Sequence, residues 1–218
     1  MSYYEQQRPE MLPYLPSSVE RLLDIGCADG GFGAAVKSEM PNCETWGVEF
    51  VPAAAENAAK VIDRVICGSI YDVEQLPKAY FDVITMNDVF EHLPESEPVL
   101  KRVKDLLAPG GRLILSLPNV RYYLNVRDLV FRKDWKYQDF GILDRTHLRF
   151  FTQKSACDLL RENGFRIERL EGINKAPLST PYKMLFTLGG KLVDDMRYPQ
   201  FAVVASVNQP ENRKSFAN

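Results

Sequence analysis

The chain has 218 residues but only two histidines, His92 and His147, and four cysteines. Cys27, Cys43, Cys67 and Cys157 form no CxxC pair and have no histidine at ligand spacing. That excludes the common structural zinc modules, and no metal site is expected. Cys27 and Cys67 lie in or beside apolar runs, so the cysteines are expected to be free, buried thiols in a reducing compartment. An excess charge of one sign is also missing. Lys+Arg number 27 and Asp+Glu 29, a net charge of -2. Such a balance lacks the basic footprint of a dedicated nucleic-acid binder, so no nucleic-acid partner is expected. No apolar run reaches the roughly 18 residues of a membrane-spanning helix. Met1–Glu10 is polar and lacks the apolar stretch of a secretory signal, and a cytoplasmic location is expected.

What is present is ordinary for a globular protein, with 45% hydrophobic and 26% charged residues. Short apolar runs alternate with helical patterns. The runs are 21–25, 45–50, 64–67, 81–86, 112–117, 165–170 and 201–207. The middle ones are apolar on both faces, as parallel strands covered on both sides must be. Helices are predicted over 30–40, 52–61, 95–107 and 152–163, the last capped by Thr152 and stopped by Gly164. The alternation implies a doubly wound α/β sheet. One domain over 1–208 is expected, with helical insertions at about 119–141 and 175–199 and a disordered tail at 209–218. In the first insertion Tyr123, Val126, Leu129 and Val130 sit at helical spacing and predict a packed amphipathic helix. The alternative is a lid whose Tyr122, Tyr123, Trp135 and Tyr137 stack on rings. In the second, Met184–Leu192 is apolar enough for a partner or peripheral membrane contact, although core packing is the first expectation.

The first strand runs into Gly26-Cys27-Ala28-Asp29-Gly30-Gly31. Small residues allow a sharp strand-to-helix turn and close approach of a ligand, and the following helix points its N–H groups there. The second run ends in the acid Glu49, placed to accept from both hydroxyls of a ribose. A nicotinamide dinucleotide would prefer G-x-G-x-x-G. Here Ala28 takes the middle position and Asp29 stands in the turn, where a carboxylate disfavours a pyrophosphate and favours a cationic ligand. Asp24 adds a second carboxylate.

These features resemble motif I of the class I S-adenosylmethionine (SAM) dependent methyltransferases. The segments FDVITMNDVFEHL and LKRVKDLLAPGGRLILSLPN resemble strand motifs of the same superfamily. The resemblance implies a Rossmann-like doubly wound seven-stranded sheet, mostly parallel with the last strand antiparallel, and helices on both faces. It implies SAM as cofactor. Asp24, Gly26, Ala28, Asp29 and Gly30 would line the methionine part and ribose; Glu49 would hold the ribose hydroxyls, with Phe50 beside the adenine. Ser69 and Ile70 would meet the adenine edge, Ser69 standing where an Asp is frequent, with Asp72 as a substitute. Asn87, Asp88 and His92 would face the methionine amine and the open side of the cofactor.

The block GILDRTHLRFFT (141–152) suggests the acceptor side. His147 with Asp144 nearby fits a general base, and Arg145, Arg149 and Tyr122 fit acceptor binding. A purely structural turn explains the same residues equally well. The block resembles a segment of bacterial methyltransferases of polysaccharide and glycan assembly and, more distantly, of ubiquinone-biosynthesis O-methyltransferases. The first implies a sugar, sugar-nucleotide or lipid-linked glycan acceptor, the second a phenol. A non-catalytic subunit of the same fold is the reading from another class, and the chain would act as monomer or homodimer.

Overall fold

A computed structural model describes residues 7–175, 177 and 180–208. The segment 209–218, expected to be a tail, lies outside them. The strands are β1 (Arg21–Ile25), β2 (Glu44–Glu49), β3 (Arg64–Cys67), β4 (Phe81–Asn87), β5 (Leu107–Pro118), β6 (Phe165–Ile173) and β7 (Gln200–Val207). They form one seven-stranded sheet in the order β3-β2-β1-β4-β5-β7-β6. The pairs among β1 to β5 are parallel, while β7 runs antiparallel to both β5 and β6.

The helices are α1 (Gly31–Glu39), α2 (Pro52–Ala58), α3 (Ser96–Leu106), α4 (Tyr123–Arg127), α5 (Gln153–Glu162) and α6 (Thr180–Gly189). Consecutive strand residues feed opposite faces of the sheet. Leu23, Ile84, Leu113 and Val203 join one cluster with Val99, Val103 and Leu160 of α3 and α5. Leu22, Val83, Ile114 and Val204 join another with Phe32 and Val36 of α1. Both faces are therefore covered, and the central strands are apolar throughout for that reason. Each fully buried Phe, such as Phe81, Phe165 and Phe201, contributes about 2–3 kcal/mol of transfer free energy.

A short 3-10 helix, Pro9–Tyr14, packs Met11 and Tyr14 onto the second cluster. Its surrounding sequence is polar, so nothing local announces it. The helix α3 passes directly into β5, and Pro109-Gly110-Gly111 forms a bulge between the pairings Phe81↔Leu107 and Val83↔Arg112. Pro109 has no N–H for a ladder and Gly110 takes φ +82°. The expected cap of α5 is present: Thr152 and Ser155 form a reciprocal capping box.

The packing expected of the two insertions is present only in part: Tyr123 and Val126 of α4 and Phe186 of α6 join a small cluster, and their neighbours do not. After α4 the chain continues as a π-turn, Asp128–Arg132, in which Leu129, Val130 and Phe131 are exposed. Met184, Leu188 and Leu192 are exposed as well, whereas Phe186 packs with Tyr122, Tyr123 and Met196. The two insertions pack on each other through that small cluster, which uses up only one side of each. Cys67 is exposed, unlike the other three thiols.

Candidate active site

The turn after β1 takes its shape from three left-handed residues: Gly26 (φ 73°), Ala28 (φ 48°) and Gly30 (φ 81°). A Cβ on Gly26 would stand 2.4 Å from a methyl of Val89. The loop is thus pressed against the end of β4, and only glycine fits. Ala28 accepts the strain of a left-handed backbone, which places its N–H 2.9 Å from Glu49 Oε2. The other oxygen, Glu49 Oε1, accepts from Val51 N–H at 2.8 Å. Two backbone donors fix this carboxylate at the end of β2, and each oxygen retains a lone pair for a further donor.

Asp24 is buried at the end of β1, with Oδ1 accepting from Thr85 Oγ1 at 2.7 Å. Burial pushes its pKa up to about 7, against the Thr85 hydrogen bond and the positive charge of Arg8. Asp29 accepts from Asn57 Nδ2 of α2 at 3.3 Å. Phe50 is exposed beside this end of β2, Ile70 is buried, and Ser69 caps its own turn by accepting from Tyr71 N–H at 3.3 Å.

Asn87 and Asp88 end β4. Both polar atoms of the Asn87 side chain are buried and have no hydrogen-bond partner. Asp88 (φ 52°) accepts from Ser116 Oγ at 2.8 Å and from Gln200 Nε2 of β7 at 2.6 Å, and it pairs with Arg8. Arg8 also reaches Glu10 at 3.5 Å. This guanidinium, set just before the 3-10 helix, is a functional candidate that sequence reasoning missed, as is Glu91 in the turn after β4. The signal of Arg8 is topological: it lies far from β4 in sequence and reaches the site only because Met11 and Tyr14 anchor the segment behind it.

The acceptor block is rearranged relative to expectation. The Asp144 carboxylate does not reach the His147 ring, and the two residues meet only through the backbone, His147 N–H donating to the Asp144 carbonyl at 3.1 Å. The carboxylate accepts from Thr146 N–H at 2.8 Å and Thr146 Oγ1 at 2.7 Å, closing a tight turn. Burial opposes its ionisation, but the Thr146 hydrogen bonds outweigh that and hold its pKa below the usual value. The carboxylate facing His147 is Glu91, with Oε1 at 3.8 Å from Nε2. The Nδ1 of His147 lies 3.0 Å from the Ile142 carbonyl and donates to it. Burial and the neighbouring His92 lower the pKa of His147. The rings of His92 and His147 meet edge to face at 4.7 Å.

Arg149 is committed to the loop after β4, donating to the Leu93 carbonyl and, at 2.8 Å, to that of Pro94. Arg145 pairs at the surface with Asp139 at 2.7 Å. Tyr122 is buried against Tyr123 at 4.8 Å and cannot stack on a ligand. Burial pushes its pKa up to about 12. The aromatic groups that do border the histidines are Phe150, at 6.2 Å from His147, and Trp135, at 5.3 Å from Phe150, with Tyr137 beyond at 6.3 Å. The structure therefore gathers Asp24, Glu49, Asn87, Asp88 and the turn 26–30 at the carboxyl ends of β1, β2 and β4. It brings His147 against His92, which follows Asp88 closely in sequence, and it leaves Arg145, Arg149 and Tyr122 occupied elsewhere.

Residues 2–170 match a family model described as a methyltransferase domain. The chain belongs to that family. An Archaeoglobus fulgidus SAM-dependent methyltransferase of known structure has a TM-score of 0.68 at 19% identity, covering 90% of this chain and 89% of that one. Among curated relatives, an Aeromonas salmonicida ubiquinone biosynthesis O-methyltransferase is 27% identical over 80% of this chain and 73% of its own length. A trans-aconitate 2-methyltransferase of Methylobacterium radiotolerans is 32% identical over 53% of this chain, which spans 45% of that relative. The chain is a methyltransferase with the Rossmann-like fold of SAM-dependent methyltransferases of known structure. The nicotinamide alternative is thereby set aside.

The residues present fit that cofactor. The orphaned Asn87 amide offers both a donor and an acceptor, the Gly26 cradle would be filled by any Cβ, and two carboxylates suit a cationic ligand. Among the described residues no helix is long and apolar enough to cross a membrane.

Proposed function

We propose that this methyltransferase transfers methyl to a hydroxyl on a ring-bearing small molecule, a phenol in the first instance. The observation that carries the reading is the pairing of two histidines with the aromatic wall of Phe150, Trp135 and Tyr137 beside the cofactor end of β4. Similarity to the ubiquinone-biosynthesis relative over most of both chains supports it. A sugar-nucleotide acceptor, the first expectation, would need an anion clamp, and Arg145 and Arg149 are already engaged. A sugar hydroxyl remains the second reading, favoured by the exposed Tyr137, which can stack on a sugar ring.

When bound, SAM supplies an electrophilic methyl group on a sulfonium. Glu49, held by Ala28 and Val51, accepts from the ribose hydroxyls. Phe50 and Ile70 flank the adenine, with Ser69 at its edge, while Asp24, Asp29, Asn87 and Asp88 surround the amino acid part. Arg8 supplies the positive charge that an amino-acid carboxylate requires. Alignment of acceptor and methyl, with water excluded by the aromatic wall, provides much of the rate. The groups that face the acceptor hydroxyl are His92, His147 and Glu91 rather than an Asp144–His147 dyad.

The protein is read as one catalytic domain working in the cytoplasm, consistent with four unpaired thiols. The exposed Phe131, Met184, Leu188 and Leu192 support peripheral contact with a membrane, which would suit an acceptor bearing a lipid tail. The test is calorimetric titration with S-adenosylhomocysteine (SAH), with NADH as control, followed by mass spectrometry of phenols and sugars incubated with SAM. SAH binding and gain of one methyl on a phenol are expected. Methylation of sugars alone would replace the first reading by the second, and failure to bind SAH would leave only a non-catalytic subunit.

A further inference from the structure

Glu91 lies in the turn after β4, its side chain only 1% exposed, and neither carboxylate oxygen has a hydrogen-bond partner. A carboxyl group buried there without a hydrogen-bond partner is unfavourable. The groups around it are arranged as if to serve a further ligand. His147 donates from Nδ1 to the Ile142 carbonyl at 3.0 Å, which leaves the Nε2 lone pair facing Glu91 at 3.8 Å. His92 Nδ1 lies 3.2 Å from Thr146 Oγ1, whose own proton goes to Asp144, and 3.3 Å from the Thr146 carbonyl; both accept, which selects the same tautomer and leaves the Nε2 lone pair free. One ligand atom from each of Glu91, His92 and His147 lies within 4.8 Å of the others.

We propose that Glu91, His92 and His147 bind one divalent first-row transition ion of the zinc type. Two imidazoles and one carboxylate favour such an ion over magnesium or calcium, which prefer all-oxygen sets. Each imidazole is oriented by a backbone carbonyl on its other nitrogen, the arrangement that fixes metal-bound histidines. The supporting shell is also built. Leu148 and Arg149 donate their N–H groups to the Glu91 carbonyl at 3.0 and 3.2 Å, and Asp144 holds Thr146. Arg149 clamps the same loop through Leu93 and Pro94. This gives Asp144 and Arg149, expected from sequence to touch substrate, a positioning role.

Three protein ligands leave a coordination position open. On the proposed reading of the reaction, an acceptor hydroxyl at that position loses its proton to water. Its oxygen lone pair then forms the bond to the methyl carbon, and the carbon–sulfur bond breaks with its electrons remaining on sulfur. Metal binding itself can be tested without turnover. Protein stripped with a chelator is titrated with Co2+, followed by visible absorption, and then with Zn2+ in competition; SAH binding is measured on the same samples. We expect one equivalent of Co2+, displaced by Zn2+, with affinity at least roughly tenfold weaker in Glu91→Gln and His147→Ala. Glu91→Gln should still bind SAH, which shows that it is folded. Wild-type protein that binds SAH but no stoichiometric Co2+ overturns the metal site and leaves the methyltransferase reading intact. Equal Co2+ affinity in wild type and Glu91→Gln also overturns it, pointing to a protonated Glu91 that bonds to His147.

Discussion

The two ends of the site are built differently. The cofactor end is made of backbone: a left-handed turn pressed on Val89, and a carboxylate tied by the N–H groups of Ala28 and Val51. The end proposed to take the acceptor is made of side chains from distant segments, with Glu91 and His92 after β4 meeting His147 and Phe150 before α5. Backbone geometry is specified by a few adjacent residues. Side-chain clusters are specified by where whole elements dock. The first can be read from a dozen letters, and the second only from the assembled sheet.

The strongest way to break this contrast is Glu49→Ala. It removes one acceptor from both the turn and the ribose, and two charge-assisted hydrogen bonds at about 1.5 kcal/mol each predict SAH binding roughly a hundredfold weaker. Calorimetry with a loss below threefold would show that the turn holds the cofactor without its carboxylate.

A second prediction concerns pH. Burial raises the pKa of Asp24 to about 7, so the free protein holds a proton there that the unfolded chain releases near its ordinary value of 3.8. The contribution to stability is present below that ordinary value and is lost as pH rises through about 7. Affinity for the amino group of the cofactor moves the other way, since only ionised Asp24 attracts it. SAH affinity should rise by up to about tenfold per pH unit towards pH 7 and level off above it. Titrations between about pH 5 and pH 8 check this, and a slope that survives in Asp24→Asn would assign it to another group.

The acceptor end should respond in the opposite sense. Trp135→Ala removes an aromatic partner of Phe150, worth about 1–1.5 kcal/mol. We expect kcat/KM for the acceptor to fall about tenfold while SAH affinity stays constant; a parallel loss of both would merge the two ends into one unit. Smallest of all, Leu188→Ser and Phe131→Ser replace side chains that are 80% exposed. Their effect on unfolding free energy should stay within about 0.5 kcal/mol by denaturant titration, and a larger loss would mean that these residues pack against something.

Legibility followed the same division. Glu49 and the turn 26–30 could be placed because strand, turn and acid follow one another within one βαβ unit. For Asp144 the sequence left a dyad with His147 and a structural turn equally open, and only the assembled fold decides: the carboxylate closes the turn on Thr146, and the sheet delivers Glu91 to His147. Leu129 and Val130 kept helical spacing, but the chain widens into a π-turn after Arg127 and carries them outward. Arg8 had no local signal at all. The fold itself was readable because both sheet faces are covered, and continuous apolar runs betray that. The swap that puts β7 between β5 and β6 leaves no mark in either strand's own pattern.

That swap has a consequence for how the protein is made. On the ribosome, β6 emerges with no partner, since the neighbour it needs is synthesised after it. Until β7 slides in, β5 keeps one open edge, β6 has no partner on either side, and Asp88 lacks Gln200. The sheet and the Asp88–Gln200 contact are thus completed by the same late event, and until then the open strand edges can pair with the wrong strand.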